Sequence, residues 1–260
     1  MADAAGEAGR VLKIGFNHRH HPAVYQAHEM IRQGAIGPLM FLRAVYGHGG
    51  RPGYDQEWRA DPDLAGGGEL LDQGIHIVDL CRWLLGEFAD VYARTSTYHW
   101  DLGFYPSRHG AEGSSRLAQL EDNAFALLST SDGKVAQFHT SWTQWKNRFS
   151  FEVFGRDGYL RVEGLGGSYG TETLTLGRRK SGSGPPDEER FEYPGPDPSW
   201  QAEWEDFAAA IHEGRQPMAS GEDAVETMRV TQALYASAAT GQSVRMAELR
   251  PARVSESASP

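Results

Sequence analysis

Apolar residues recur at helical spacing from Leu70 to Leu85, and the run is bracketed by Gly66-Gly67-Gly68 before it and Gly86 after it. The pattern predicts one helix of about four to five turns with a glycine stop. At about 100° per residue, Leu70, Gly74, Ile77, Val78, Cys81, Leu84 and Leu85 gather on one side, which becomes the core face. Asp72, His76, Asp79 and Trp83 fall in a narrow stripe on the opposite side, because residues three and four apart lie one above another. Upstream, Arg10 to Phe16 reads as a short, fully buried strand of the parallel kind, and Pro22 opens a predicted helix that runs to Gln33 with Gly34 as its stop.

Beyond the central helix the apolar period shortens to two. Besides Leu39 to Tyr46, strands are predicted at Asp90 to Thr97, Asn123 to Ser131, Lys134 to Trp142, Phe149 to Phe154, Tyr159 to Glu163, Thr171 to Leu176 and Arg190 to Tyr193. Asp132-Gly133 and Gly155 to Gly158 are hairpin turns, so the strands pair antiparallel in one large sheet. Asp197-Pro198 starts a helix over Ser199 to His212, and Ser220 caps a second one over Glu222 to Ala239, ended by Gly241. The fold class is α+β, a large open, mainly antiparallel sheet with helices packed on one face. Residues 250–260 are polar and expected to be a disordered tail.

Composition narrows the picture. A chain of 260 residues with 40% hydrophobic content can bury a sizeable core without staples, and its formal charge of −10 argues against a nucleic-acid partner. Cys81 is the only cysteine, which leaves no intrachain disulfide and predicts a buried thiol. No stretch is long and apolar enough to be a membrane span, and no targeting segment is recognisable, so the expected compartment is cytoplasmic.

The candidate chemistry lies around the central helix. Asp72 and His76 read either as a solvated pair four residues apart, or as a base titrating near neutral pH whose imidazolium a carboxylate orients and stabilises. The glycine triplet favours the second, since it permits close approach of another backbone or of a ligand. His18, His20 and His21 lack a recognisable zinc spacing; of that segment Arg19 is the useful residue, a fixed cation beside a polar cleft. Trp58 and Arg59 could stack on and hydrogen-bond a polar ligand or could anchor their loop. Gln137, His139 and Ser141 form a polar strand face, read for His139 as an ordinary solvated or interface face. Gly164 to Gly170 is read as a wide turn, because it lacks a following helix and a lysine.

These pieces, Gly15 to Pro22, then Trp58-Arg59, then Gly66-Gly67-Gly68 with Asp72, Gly74, His76 and Asp79, resemble the Gfo/Idh/MocA oxidoreductases. Glu203 to Phe207, Ile211, Gly214, Pro217 and Gly221 to Ala224 extend the resemblance to about Val244. It implies an oxidoreductase of a sugar, polyol or sugar derivative that uses NAD or NADP, with His76 as acid/base and Asp72 as its partner. Arg19, Trp58, Arg59 and Asp79 are the expected substrate-binding residues, no metal is expected, and the implied assembly is a homo-oligomer, a dimer or tetramer, formed through the sheet face. Two departures stand out. None of the pairs Gly47/Gly49, Gly66/Gly68, Gly164/Gly166 and Gly182/Gly184 has a glycine three residues further on, so the dinucleotide fingerprint is absent, as is the family's Glu-Lys-Pro lysine. Residues 1–21 are accordingly expected to be the last helix-strand step of a nucleotide-binding Rossmann domain, with residues 22–249 the substrate domain, the chain being either part of a longer protein in which Met1 is an internal methionine or a natural remnant. The alternatives are a non-catalytic sugar-binding or oligomerisation module and an NAD-dependent glycoside hydrolase.

Overall fold

The structure, a computed structural model, describes residues 1–49, 57–98 and 120–249. The expected tail over 250–260 lies outside those residues. Six helices and nine strands are described: α1 (Ala2–Glu7), α2 (Pro22–Arg32), α3 (Pro62–Ala65), α4 (Ile75–Leu85), α5 (Ser199–Glu213) and α6 (Gly221–Thr240) are the helices. The strands are β1 (Leu39–Gly47), β2 (Phe88–Ser96), β3 (Asn123–Thr130), β4 (Val135–Ser141), β5 (Arg148–Gly155), β6 (Gly158–Glu163), β7 (Glu172–Arg178), β8 (Asp187–Tyr193) and β9 (Val244–Arg245).

All nine strands join one sheet in the order β8-β7-β6-β5-β1-β4-β3-β2-β9. Pairing is antiparallel except between β1 and β4, where Phe41 lies opposite Val135 and Gly47 opposite Ser141 in parallel register. That exception follows from connectivity, since β4 and β5 run in opposite directions and β1, inserted between them, must run parallel to one. Alternation then decides the faces. In β3, Ala124, Ala126 and Leu128 point into the core, while Phe125 and Leu127 point out, exposed by 39% and 49%. Helices α2, α4 and α6 cover the inner face, contributing Ala23, Val24 and Ala27, then Ile77, Val78 and Cys81, then Val230, Ala233 and Leu234 to a single core.

Three local expectations are corrected. Arg10 to Phe16 forms no strand; it makes one antiparallel bridge, Lys13 to Ser220, because among the described residues no strand lies beside it to complete a parallel ladder. The central element is not one uniform helix: Leu70–Gly74 form a π turn that leads into α4. Its glycine triplet answers to the protein's own chain. A Cβ at Gly68 would lie 2.1 Å from the Glu121 carbonyl oxygen, and one at Gly67 would lie 2.5 Å from the Tyr235 hydroxyl. The Glu121 carboxylate accepts from the backbone N–H groups of Gly68 and Leu70 at 3.0 and 3.1 Å and from Tyr235 Oη at 2.6 Å, so this helix entrance is already capped. The other helix starts match expectation, with Asp197 accepting from Ser199 N and Ser220 forming a capping box with Asp223.

Candidate functional site

Where the segment before α2, the π turn and the β6–β7 connection converge, they enclose a cleft of about 580 Å³. Its lining includes Asn17, His18 and His21 from the first segment, Arg59 from the loop after β1, Asp72, Gln73 and His76 from the central element, and Tyr46 from β1. The turn from Leu165 to Tyr169 and, opposite it, Asp197 and Trp200 complete the wall. The size and the mix of aromatic faces with a few polar groups fit a small polar molecule.

What brings these pieces together is a buried ion-pair knot. Arg19 forks onto Asp79 with Nε to Oδ2 at 2.8 Å and Nη2 to Oδ1 at 2.6 Å, and its Nη1 reaches Asp223 Oδ2 at 3.1 Å. Arg19 and Asp79 are both buried, and the guanidinium lies over the Trp83 ring, on which His28 also stacks. This clamps the Asn17–His20 turn to α4 and to the start of α6. Arg19 and Asp79 therefore do not line the cleft as expected: a planar cation facing a carboxylate inside the protein satisfies it completely, and the pair holds the wall in place instead. The stripe of Asp72, His76, Asp79 and Trp83 is correspondingly not a solvated face.

Asp72 and His76 do reach the cleft, in a relation different from that expected. Asp72 Oδ1 accepts from Arg59 Nε at 3.2 Å, while His76 Nδ1 is buried without a hydrogen-bond partner. The π turn accounts for this, since its wider winding takes residues four apart out of line. Burial lowers His76 to about 4, against an upward pull from the Asp72 carboxylate and a downward push from His21. His76 is thus a neutral imidazole at neutral pH rather than a group titrating there. His18 packs against it with ring centroids 4.3 Å apart, and burial, then His76 and His21, hold it well below its ordinary value. His18 Nδ1 is 3.2 Å from Asn17 Oδ1, and Asn17 Nδ2 donates to Ser199 Oγ at 2.9 Å, which fixes the ring from behind. His21 Nδ1 lies 3.0 Å from Glu172 Oε2.

Arg59 enters the cleft from its loop with its guanidinium over the Trp58 ring at 4.6 Å, whereas Trp58 itself is outside the lining and 55% exposed. Of the two readings for that pair, Trp58 takes the anchoring one and Arg59 the cleft-facing one. Glu69, one turn before Gln73, is fully buried; burial, followed by the Asp72 and Glu121 charges, pushes its carboxyl well above the usual range, against weak polar contacts from Thr140 and the Ser141 backbone. His139 lies on the other face of the sheet, its ring stacked on Phe125 and its Nε2 2.9 Å from Asn123 Oδ1. Sequence reasoning missed Asn17, His18, Gln73, Tyr169 and Trp200. The available signals were the glycine-rich turn around Tyr169 and the tryptophan directly following the Asp197-Pro198-Ser199 cap. Among the described residues no cluster of three or more His, Cys, Asp or Glu side chains could hold a metal ion, and no helix is long and apolar enough to cross a membrane.

Comparison with known proteins agrees with this architecture. The chain is 30% identical over 249 residues to 1,5-anhydro-D-fructose reductase of Ensifer adhaerens, covering 95% of this chain and 67% of that protein. It is 28% identical over 171 residues to levoglucosan dehydrogenase of Pseudarthrobacter phenanthrenivorans, covering 62% of this chain and 44% of that one. A solved levoglucosan dehydrogenase in complex with NADH and levoglucosan shares the fold with a TM-score of 0.79 at 22% identity, covering 95% of this chain and 69% of that chain. The chain thus spans between about two fifths and two thirds of the length of these relatives. Residues 24–161 match the GFO/IDH/MocA C-terminal domain, and with that match over the sheet and the central element the chain belongs to the GFO/IDH/MocA family.

Proposed function

We propose that this chain forms the substrate half of an NAD(P)-dependent oxidoreductase acting on a sugar, polyol or sugar derivative. The observation that carries the reading is a neutral His76, its Nδ1 buried without a hydrogen-bond partner, in the lining of a cleft of small-molecule size that also holds the Asp72 carboxylate. A nicotinamide nucleotide supplies the hydride acceptor or donor in such chemistry. The residues of this chain supply the rest. Arg59, Gln73, Asp197 and the Tyr46 and Tyr169 hydroxyls offer the donors and acceptors that a polyol requires, and Trp200 offers a ring face for its C–H groups. An uncharged His76 has a lone pair ready to accept the hydroxyl proton as the carbinol carbon is oxidised, and the Asp72 charge stabilises the imidazolium that results.

The described residues do not fit a dinucleotide. The only parallel strand pair among them is β1 with β4, and no glycine fingerprint follows either strand. Residues 1–21 as a last step of a nucleotide-binding domain, and a separate cofactor domain acting with residues 22–249, remain part of this reading. Support comes from α5, where, on the same face as Trp200 and beyond the cleft, Trp204 and Ile211 are 67% and 55% exposed, leaving apolar surface for a neighbouring domain. Titration of the 260-residue chain with NADH and NADPH is expected to give no tight binding; a low-micromolar Kd would overturn the two-part reading. Calorimetric titration with 1,5-anhydrosugars and free aldoses tests the substrate half. Binding that weakens in Asp72→Asn supports it, and no binding by any sugar or polyol defeats it.

The proposed assembly is a homo-oligomer through the uncovered sheet face, where Phe125 and Leu127 leave apolar groups in solvent. Light scattering at micromolar concentration should report a dimer or tetramer, and a Leu127→Lys variant should shift it toward monomer.

A further inference from the structure

Next to the His76 cleft lies a second one, of about 440 Å³, and the Tyr169 ring borders both. The connection between β4 and β5 lines it with Gln144, Lys146 and Asn147, β5 begins there with Arg148, and Arg190 of β8 closes the far side. The partition between the clefts is pinned by one hydrogen bond, Asn147 Nδ2 donating to Ser168 Oγ at 2.7 Å. The charge of this second cleft runs against that of the chain. The protein carries a formal −10, yet three cations face Glu163 alone, and Glu163 is engaged by Arg161 at 3.3 Å. Arg190 is shared with Glu192 at 3.2 Å. Lys146 and Arg148 have no carboxylate partner among the described residues. Lys146 and Arg148 are both exposed, so water and salt screen them; two unneutralised cations beside one another still repel, and a concave wall concentrates their field on whatever enters. The Arg148 fork and the Lys146 ammonium together suit an oxyanion, one by paired hydrogen bonds and the other as a point charge.

We propose that the substrate spans both clefts, with a sugar ring at His76 and, past Tyr169, a distal portion whose anionic group is held by Lys146 and Arg148. The anion is a carboxylate, phosphate or sulfate ester, chemistries that share the same recognition. The inference rests on the sugar reading of the first cleft and narrows it to acidic glycosides or sugar esters.

Three probes on one disaccharide skeleton test it on the 260-residue chain: neutral cellobiose, its distal carboxylate counterpart cellobiouronic acid, and cellobiose 6′-phosphate. At low ionic strength one or both anionic probes should bind about tenfold tighter than cellobiose, and the preference should shrink in high salt. Which of the two binds better identifies the anion. The Lys146→Ala/Arg148→Ala double variant should abolish the preference and leave cellobiose binding unchanged. Equal affinity for all three probes, or a preference that survives the double variant, overturns the proposal while the sugar reading stands, provided binding still weakens in Asp72→Asn. A preference insensitive to Asp72→Asn overturns the spanning geometry, because the anion would then be bound alone. Absence of binding by every probe, together with failure of simpler sugars, removes both readings.

Discussion

Two halves of one helical stripe carry the same kind of side chain and end in opposite states. Asp79 and Trp83 are enclosed with Arg19 in a knot where each carboxylate oxygen accepts a guanidinium N–H. Asp72 and His76, one to two turns earlier, face a cleft where Asp72 shares a half-exposed Arg59 and His76 Nδ1 has no partner. A residue whose hydrogen-bonding capacity is used up inside the protein holds shape, whereas one with capacity left over can do chemistry. Neither the residue types nor their spacing distinguishes the two; the packing of the Asn17–His20 turn does.

Mutating the two halves should therefore give effects of different kinds. The largest is expected for His76→Ala in the complete enzyme that carries this sequence: turnover falls by roughly 100 to 10,000-fold, the range for a positioned acid/base, with a melting temperature near that of the parent. Near-normal turnover would end the catalytic assignment. Arg19→Ala should do the reverse, destabilising by about 3–5 kcal/mol in urea unfolding because it strands the Asp79 charge in the core. If Arg19→Ala left stability intact and only weakened sugar binding, Arg19 would belong to the cleft after all.

A pH series sharpens the contrast. His76 and His20 are lowered to about 4 in the fold from an ordinary 6.5, in both cases chiefly by burial. The unfolded chain binds protons there that the folded chain refuses, so their contribution is fully present above pH 6.5 and lost as pH falls toward 4. Denaturant midpoints measured at pH 7 and pH 5 should drop at the lower value, and the drop should be smaller in His20→Gln. The smallest effect is expected for Asp72→Asn, with a stability change of ~0–1 kcal/mol given its exposed partner. Its turnover should fall less than that of His76→Ala, since an amide keeps the shape and loses only the charge.

Most strands are legible because a sheet covered on one face imposes a two-residue period; the alternation predicts Asn123 to Ser131 and the strand spans Asn123–Thr130. The central helix was legible for the analogous reason, and its core face of Leu70, Ile77, Val78 and Cys81 is fully buried. What the pattern lacked was long-range information. The π turn leaves no mark in a 3.6-residue count, and the pairing of Arg19 with Asp79 joins residues that nothing local connects. The glycines of 164–170 predict a wide turn, but that its Tyr169 forms a wall of the cleft depends on residues far away in sequence. The glycine triplet pointed to close approach, and the approaching groups proved to be Glu121 and Tyr235 rather than a ligand.

The position of β1 has a consequence for how the chain is made. The strand at Leu39–Gly47 sits mid-sheet, yet both of its neighbours lie within residues 135–155. During synthesis it emerges early and waits with two unpaired edges while the helices and β2 and β3 follow it. Closing the sheet then means forming a loop across that whole span, a non-local step that sets a high contact order and slow folding. Refolding from urea should accordingly show a fast phase from the β3–β4 and β5–β6 hairpins and a slower one, reported by Phe41 and Phe154 stacking, when β1 docks between them.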